Sequence, residues 1–192
     1  MHGRIIDFSE KKFKKIINIP SNIKIEYLNG IYKISGPKGF INHKLNNLLK
    51  IDISDNTLSI IVQECYLKKN KINKFLSILK TTYILFKNYI TGVIHLFDKT
   101  LILKGVGYKA EYNNSILKMI LGYSHPIIYL IPKDIEIKIL SSNSICIKGV
   151  SKHKVGQIAQ NIKQFRLPDA YKGNGIIYKN EIIKLKSPKK SK

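Results

Sequence analysis

Several residue types that mark familiar functional classes are scarce in this chain. Cys65 and Cys146 are the only cysteines and lack C-x-x-C spacing, which excludes a disulfide framework and a cysteine zinc site. Tryptophan is absent, and the 12 acidic residues are too scattered for the paired carboxylates of acid–base catalysis. No apolar run approaches the roughly 20 residues of a membrane span, since Lys87 interrupts the most apolar helical stretch, residues 81–92. The sequence predicts a protein of a reducing compartment with no membrane partner.

Positive charge is what the chain has in abundance. It carries 34 Lys and Arg residues, the arginines being Arg4 and Arg166, against 12 Asp and Glu, for a formal charge of +22. This exceeds what solubility requires and suits a polyanionic partner such as nucleic acid. The lysines alternate with isoleucine, leucine and tyrosine along the chain, a pattern typical of folded strands and helices. We therefore expect a folded nucleic-acid-binding protein.

The first seventeen residues form a basic extension. They resemble an amphipathic targeting peptide, but Asp7, Glu10 and the single arginine Arg4 argue against one. The alternative is a short basic extension that lies on the partner, and we favour it. The high content of lysine, isoleucine and asparagine indicates an AT-rich coding genome, as found in organelles, some bacteria and parasites.

A tandem repeat organises the rest of the chain. Residues 25–61 align with residues 110–147 at an offset of 85, and both copies follow the same order of elements. An alternating strand runs to an Asn-rich turn, at Asn29-Gly30 or Asn113-Asn114, and a second strand returns from it. A loop, two further strands and a helix complete each copy. The sequence predicts an α+β fold of two tandem repeats, each a small, mainly antiparallel sheet packed against one helix. We expect an extension at 1–17, a first repeat at 18–97, a second repeat at 98–178 and a basic tail at 179–192.

The helix that ends each copy has a single apolar stripe. The first begins at Asn70, and its inward residues are Ile72, Phe75, Leu79 and Phe86. The second begins after the N-cap Ser151 and stops before Pro168, and its inward residues are Val155, Ile158, Ala159, Ile162 and Phe165.

Two strings imitate enzyme motifs. GVGYKA, from Gly105 to Ala110, matches a dinucleotide fingerprint, but a strand follows it where the fingerprint needs a helix. Ser124 and His125 suggest a nucleophile and base, yet neighbours in an extended segment point apart, so we expect them only to shape a loop. The histidines never occur in pairs at metal-binding spacing; they are His2, His43, His95, His125 and His153. We expect no catalysis, no cofactor, no metal and no small-molecule substrate.

The Gly-rich stretch after Pro168 is the strongest candidate for a binding site. Gly173 and Gly175 let the backbone approach a sugar-phosphate chain and offer N–H donors, while Lys172 adds charge and Tyr171 stacks or packs. The alternative is a plain loop that ends the helix. A basic tail follows and favours the RNA interpretation; its lysines are Lys179, Lys184, Lys186, Lys189, Lys190 and Lys192.

Four strings resemble the bacterial type of the large-subunit ribosomal protein L6 family. They are GVGYKA, LGYSHP, KGVSKHKVGQIAQNIKQFRLP and YKGNGIIY, and the resemblance covers residues 18–186. It implies two α+β repeats in a structural constituent of the large ribosomal subunit, near the translation-factor and stalk-base region. The implied partners are large-subunit rRNA, bound mainly through the second repeat, and neighbouring large-subunit ribosomal proteins. A non-ribosomal RNA-binding module acting in ribosome assembly or on messenger RNA is the alternative.

The resemblance also implies an RNA-binding site. The family has two basic residues and then Pro-x-Pro-Tyr-Lys-Gly-Lys-Gly, from which this chain departs at Leu167, Ala170 and Asn174. The predicted RNA-binding residues are Arg166, Tyr171, Lys172, Gly173, Asn174, Gly175, Lys179, Lys184 and Lys186. Together with the AT-rich bias, the resemblance points to a mitochondrial ribosome, with a plastid-type organelle or an AT-rich bacterium as alternatives.

Overall fold

The computed structural model describes residues 13–54, 56–62 and 72–187. Most of the predicted extension, Cys65 and the last three lysines of the tail lie outside the described residues. The chain divides into two compact units between His95 and Leu96. The part up to His95 is called unit 1 below, and the part from Leu96 is called unit 2.

Unit 1 contains two three-stranded antiparallel sheets and one long helix. Its elements are β1 (Lys14–Asn18), β2 (Lys24–Leu28), β3 (Ile31–Gly36), β4 (Gly39–Lys44), β5 (Leu49–Ser54), β6 (Thr57–Val62) and α1 (Ile72–Ile94). The sheets have the strand orders β1-β6-β5 and β2-β3-β4. Helix α1 buries Phe75, Leu79 and Phe86, as its apolar stripe predicts. Phe86 is fully buried, and edge-to-face contacts join its ring to Tyr32 and His43.

Unit 2 repeats this plan with one strand more. Its elements are β7 (Phe97–Lys104), β8 (Lys109–Asn113), β9 (Ile116–Ile120), β10 (Ile127–Leu130), β11 (Ile135–Ser141), β12 (Ser144–Gly149), α2 (Lys152–Gln164) and β13 (Gly175–Tyr178). The sheets have the strand orders β11-β12-β7-β13 and β10-β9-β8. Strands and helix enclose one core, which includes Leu101, Leu117, Ile145 and Ile158. The predicted α+β class with repeated sheet and helix units is confirmed, and each unit holds two small sheets.

Both predicted hairpins are present. Asn29 and Gly30 join β2 to β3 with φ values of 50° and 81°, the left-handed pair that a tight two-residue hairpin turn requires. The second turn lies one residue later than predicted, at Asn114 and Ser115, with φ values of 47° and 64°. Asparagine tolerates this conformation, so the two Asn residues indicated the turn without fixing its register.

Helix α2 begins and ends where its sequence signals lie. The Ser151 hydroxyl accepts a hydrogen bond from the Lys154 N–H at 3.4 Å, which confirms the predicted N-cap. The inward residues Val155, Ile158, Ala159 and Ile162 are buried, and Phe165 caps the C-terminus against the same core. Pro168 follows three residues after the C-cap Phe165, so the helix cannot continue and the chain enters the Gly-rich stretch. Within the described residues, no helix combines the length and the apolar character that crossing a bilayer requires.

Candidate nucleic-acid interface

The Gly-rich stretch is a turn that is closed by its own backbone and by Asp169. The Lys172 N–H donates to Asp169 Oδ2 at 2.8 Å, and the Gly173 N–H donates to the Asp169 carbonyl at 3.0 Å. The Asp169 N–H in turn donates to the Asn174 carbonyl at 2.9 Å. The N–H of Lys172, followed by those of Tyr171 and Ala170, lowers the pKa of the Asp169 carboxyl below its ordinary range. Asp169 therefore fixes the turn as a carboxylate.

Gly175 is required by packing inside the chain, and Gly173 is favoured by its backbone conformation. Gly173 has a φ of 69°, and a Cβ there would lie 3.2 Å from Leu185 Cδ2. Gly175 has a φ of 150°, and a Cβ would lie 2.6 Å from Pro168 Cα and 2.7 Å from the Leu167 carbonyl oxygen. Both glycines are buried. The expectation that Gly173 offers its N–H to a phosphate is wrong for this conformation, because that N–H already donates to Asp169.

The side chains of the turn face solvent. Tyr171 is 57% exposed and Lys172 is also exposed, while Asn174 is half-buried. A tyrosine ring exposed to this degree is available for stacking against a base, and the neighbouring ammonium is available for a phosphate. The groups that the turn presents to solvent are therefore its side chains, while the glycines set its shape.

The tail folds back onto the turn. Strand β13 runs antiparallel to β7, and Lys179 lies past its far end, where its N–H donates to the Thr100 carbonyl at 3.0 Å. The chain then reverses, so that the Lys186 N–H donates to the Ala170 carbonyl at 2.8 Å. Residues 184–186, which include the exposed Lys184 and Lys186, are thereby brought to the turn, where Leu185 Cδ2 lies 3.2 Å from the position a Cβ would take on Gly173. Lys179 is separated from it by the length of a four-residue strand, roughly 13 Å.

An ion pair anchors the returning tail to α2. Lys163 Nζ contacts Glu181 Oε1 and Oε2 at 2.6 and 2.7 Å, and Glu181 Oε2 also accepts from the Tyr178 N–H at 3.0 Å. Only 12% of the Lys163 side chain and 29% of the Glu181 side chain are exposed. The Lys163 ammonium, followed by the Tyr178 N–H, lowers the pKa of the Glu181 carboxyl. The reversal of the chain at residues 179–181 is thus held by charge as well as by backbone hydrogen bonds.

Lys104 is a part of this area that the sequence did not reveal. It pairs with Gly175 across the β7–β13 ladder, and its Nζ lies 3.6 Å from the position a Cβ would take on Gly173. The pairing of β7 with β13 joins segments about seventy residues apart, and no local pattern indicates such a pairing. We use the name turn–tail surface for Lys104, Tyr171, Lys172, Lys184 and Lys186.

Arg166 lies immediately before the turn in the chain and is held by aromatic rings. Its guanidinium carbon is 4.8 Å from the centroid of the Tyr123 ring, and the Tyr123 hydroxyl donates to the Phe165 carbonyl at 2.9 Å. Tyr123, followed by Tyr108, raises the pKa of the guanidinium further above its ordinary value. Arg166 is therefore a permanent positive charge at a defined place.

The strings that imitate enzyme motifs form two loops of unit 2. GVGYKA leads into β8, so no helix N-terminus meets its glycines, as expected. Ser124 Oγ and His125 Nδ1 lie 3.1 Å apart, so the expectation that these side chains point away from each other is wrong. The loop bends at Gly122, whose φ is 73°, and does not continue as an extended strand. Among the described residues, no group of three or more His, Cys, Asp or Glu side chains could hold a metal ion.

These features define a basic protein of two tandem α+β units, with exposed lysine and tyrosine side chains and a half-buried arginine on unit 2. Comparisons with known proteins narrow this class. Residues 104–179 match the family model of ribosomal protein L6. The chain is 35% identical over 179 residues to large ribosomal subunit protein uL6 of Thermotoga neapolitana, with 93% of the chain and 97% of the relative covered. It is 37% identical over 176 residues to the uL6 protein of Geotalea uraniireducens, with 92% and 95% covered. The chain belongs to the ribosomal protein L6 family, bacterial type.

This membership confirms the resemblance carried by the four sequence strings. Proteins of this family are structural ribosomal proteins and not enzymes. The exposed Ser124–His125 pair is accordingly a feature of loop geometry.

Proposed function

We propose that the chain is a structural constituent of the large ribosomal subunit and binds large-subunit rRNA mainly through the turn–tail surface of unit 2. The observation that carries this proposal is the fold-back of the tail. The Lys186 N–H donates to the Ala170 carbonyl, so the segment that bears Lys184 and Lys186 returns to the turn that bears Lys172 and the exposed Tyr171, and Lys104 Nζ lies near Gly173 of the same turn. Several cations around one aromatic ring can neutralise successive phosphates while the ring stacks on a base.

Each of the other predicted site residues has a different role in this proposal. Arg166 contacts RNA beside the turn, and Asn174 contributes a polar side chain at its rim. Gly173 and Gly175 hold the shape of the turn. Lys179, at the far end of β13, extends the contact along the strand.

The departures from the family pattern at Leu167, Ala170 and Asn174 remove two positive charges and one proline from this region. Lys184 and Lys186 restore charge because the tail is anchored against the turn by the Lys186 N–H and by the Lys163–Glu181 pair. We therefore expect the tail to contribute more to RNA affinity here than a freely moving tail of the same charge.

The printed name of the relatives supports the placement in the large subunit, and the match covers 92–97% of this chain and of those relatives. Within the subunit, we place the protein near the translation-factor and stalk-base region, with neighbouring large-subunit proteins as further partners. This location is carried by the family resemblance, and cross-linking of purified subunits followed by mass spectrometry tests it.

Sedimentation of cell extracts on a sucrose gradient tests the main proposal. The protein is expected in the large-subunit peak and is expected to remain there until a stringent salt wash. If most of it stays at the top of the gradient, the ribosomal assignment fails and a free RNA-binding module becomes the better description. Replacing Lys172, Lys184 and Lys186 together by Gln is expected to lower incorporation, and replacing the exposed Lys24, Lys38 and Lys44 of unit 1 is the control.

We propose that the protein belongs to a mitochondrial ribosome. The support is compositional, namely the lysine, isoleucine and asparagine bias of an AT-rich genome. The relatives named above come from bacteria, so an AT-rich bacterium or a plastid-type organelle is the competing host. Fractionation of the source cells distinguishes these alternatives, because recovery of the protein outside purified mitochondria would contradict the mitochondrial placement.

A further inference from the structure

Two loops of unit 2 are locked together by a tyrosine ring. The first loop, residues 105–108, joins β7 to β8, and the second, residues 121–126, joins β9 to β10. A Cβ on Gly105 would lie 2.7 Å from the Tyr108 ring, and a Cβ on Gly122 would lie 3.2 Å from the same ring. Tyr108 is therefore packed against both loops: its ring leaves no room for a Cβ at Gly105, and Gly122 has a φ of 73° that favours glycine.

The locked loops carry a second ring, that of Tyr123, which lies against Arg166. The Tyr123 hydroxyl donates to the Phe165 carbonyl, and the guanidinium carbon of Arg166 lies 4.8 Å from the ring centroid. The backbone of Arg166 is also fixed, because its carbonyl accepts from the Ile176 N–H at 2.8 Å. Ring, hydroxyl and backbone contacts together restrict where the guanidinium can lie.

The guanidinium of Arg166 forms no ion pair with a carboxylate in the described part of the chain. The ion pairs found within residues 13–54, 56–62 and 72–187 are Lys50–Asp52, Lys154–Asp134 and Lys163–Glu181, and none includes Arg166. Arg166 is the only arginine in the described part of this lysine-rich chain. A guanidinium held against a ring, with N–H donors left for a partner, is suited to bidentate recognition of a phosphate.

We propose that Tyr108 and Tyr123 are positioning residues, which form an aromatic seat that holds the Arg166 guanidinium for a backbone phosphate of rRNA. This inference rests on the proposed function, namely that unit 2 binds rRNA. It adds loops 105–108 and 121–126 to the RNA-binding face of unit 2. It also gives the glycines and tyrosines of GVGYKA and LGYSHP a shared purpose. Because the seat orders the arginine before binding, less side-chain freedom is lost in the complex.

Filter binding of the full chain to transcribed large-subunit rRNA, at moderate salt, tests the seat. Arg166→Lys keeps the charge but removes the planar fork, and Tyr123→Leu removes the ring but keeps the arginine. Each is expected to weaken binding roughly tenfold, as for a lost charged hydrogen bond. The double variant is expected to have an affinity no lower than that of the weaker-binding single variant, because both changes remove the same interaction. Tyr123→Phe keeps the ring and is expected to stay within about threefold of the wild type.

Four outcomes overturn the inference. Wild-type affinity in Arg166→Lys overturns it, as does a double variant whose loss is the product of the two single losses. Lys118→Arg, the reverse exchange at an exposed lysine of β9, is the control, and an equal effect there would show that the exchange itself is responsible. If Arg166→Lys binds normally while Lys172→Ala weakens binding, only the seat fails. If the wild type does not bind rRNA, the proposed function and the seat fail together.

Discussion

At the scale of single residues, Gly175 shows how packing inside the chain decides a residue type at a binding site. The Cβ of any other residue would lie 2.6–2.7 Å from backbone atoms of Leu167 and Pro168, which cannot rotate away as a side chain does. The constraint exists before any partner binds. A glycine in a basic turn is thus a signature of the turn's own geometry as much as of a ligand.

The first prediction follows from this contact. Gly175→Ala is expected to lower the free energy of unfolding by about 2 kcal/mol, because a backbone clash must be relieved by shifting the chain. Gly156→Ala, in α2, is the matched control: its Cβ meets nothing within 4 Å, and alanine is expected to stabilise the helix by about 0.5–1 kcal/mol. Urea unfolding measures both. Equal stability of Gly175→Ala and the wild type would show that the Leu167–Pro168 contact does not constrain the turn.

Asp169 gives the second prediction, which concerns pH. Hydrogen bonds from the backbone N–H groups lower its pKa in the folded state below the ordinary value of 3.8. A carboxyl with a lowered folded pKa contributes stability above its unfolded pKa and loses it as the pH falls towards the folded pKa. Asp169→Asn keeps an oxygen acceptor but does not titrate. The stability advantage of the wild type over Asp169→Asn is therefore expected to shrink below pH 3.8, as followed by urea unfolding. An advantage that stays constant down to pH 2 would contradict this assignment.

At the scale of elements, the hydrogen bond at Lys186 and the ion pair at Glu181 turn a basic tail into part of the folded unit. The ammonium of Lys163 also lies 4.8 Å from the centroid of the Tyr178 ring, so the pair is packed as well as charged. The tail from Glu181 to Lys186 has no regular secondary structure, and its position depends on these few contacts.

The third prediction tests the anchor. Glu181→Gln is expected to lower the free energy of local opening of the tail by about 1 kcal/mol, because half-buried Lys163 loses its counter-ion. Hydrogen exchange at the Lys186 amide measures this opening and is expected to speed up about fivefold. The control is Glu136→Gln, at an exposed position of β11. Unchanged exchange at Lys186 would show that the tail is held without the ion pair.

The elements differ in how far the sequence alone predicts them. Helix α2 and the hairpin at Asn29-Gly30 were predicted because Ser151, Pro168 and the Asn-Gly pair act on their immediate neighbours. The β7–β13 pairing, the return of the tail and the contact of Tyr123 with Arg166 were not predicted, because each joins segments far apart in the chain. The nine predicted site residues include those of the turn and tail, but no local sequence pattern adds Lys104, Tyr108 or Tyr123 to them.

At the scale of the whole molecule, the net charge alone does not say where RNA binds. Unit 1 and unit 2 carry similar shares of the 34 basic residues, and each unit also has its own buried core. If the overall charge of +22 were the only determinant, any exposed lysine would contribute equally to affinity. The return of the lysine-bearing tail to the turn that holds Tyr171 and Lys172 supplies a reason for unequal contributions.

The fourth prediction separates these two explanations with variants of identical net charge. Replacing Lys172, Lys184 and Lys186 by Gln removes three charges from the turn–tail surface, and replacing Lys24, Lys38 and Lys44 removes three from exposed positions of unit 1. Each phosphate contact contributes a slope of about one to a double-logarithmic plot of rRNA affinity against salt. The magnitude of this slope is expected to decrease by about three in the unit 2 variant and by much less in the unit 1 variant. Filter binding across a salt series measures both slopes. Equal losses would show that rRNA is bound by diffuse charge, because only a localised interface makes the position of a lysine matter.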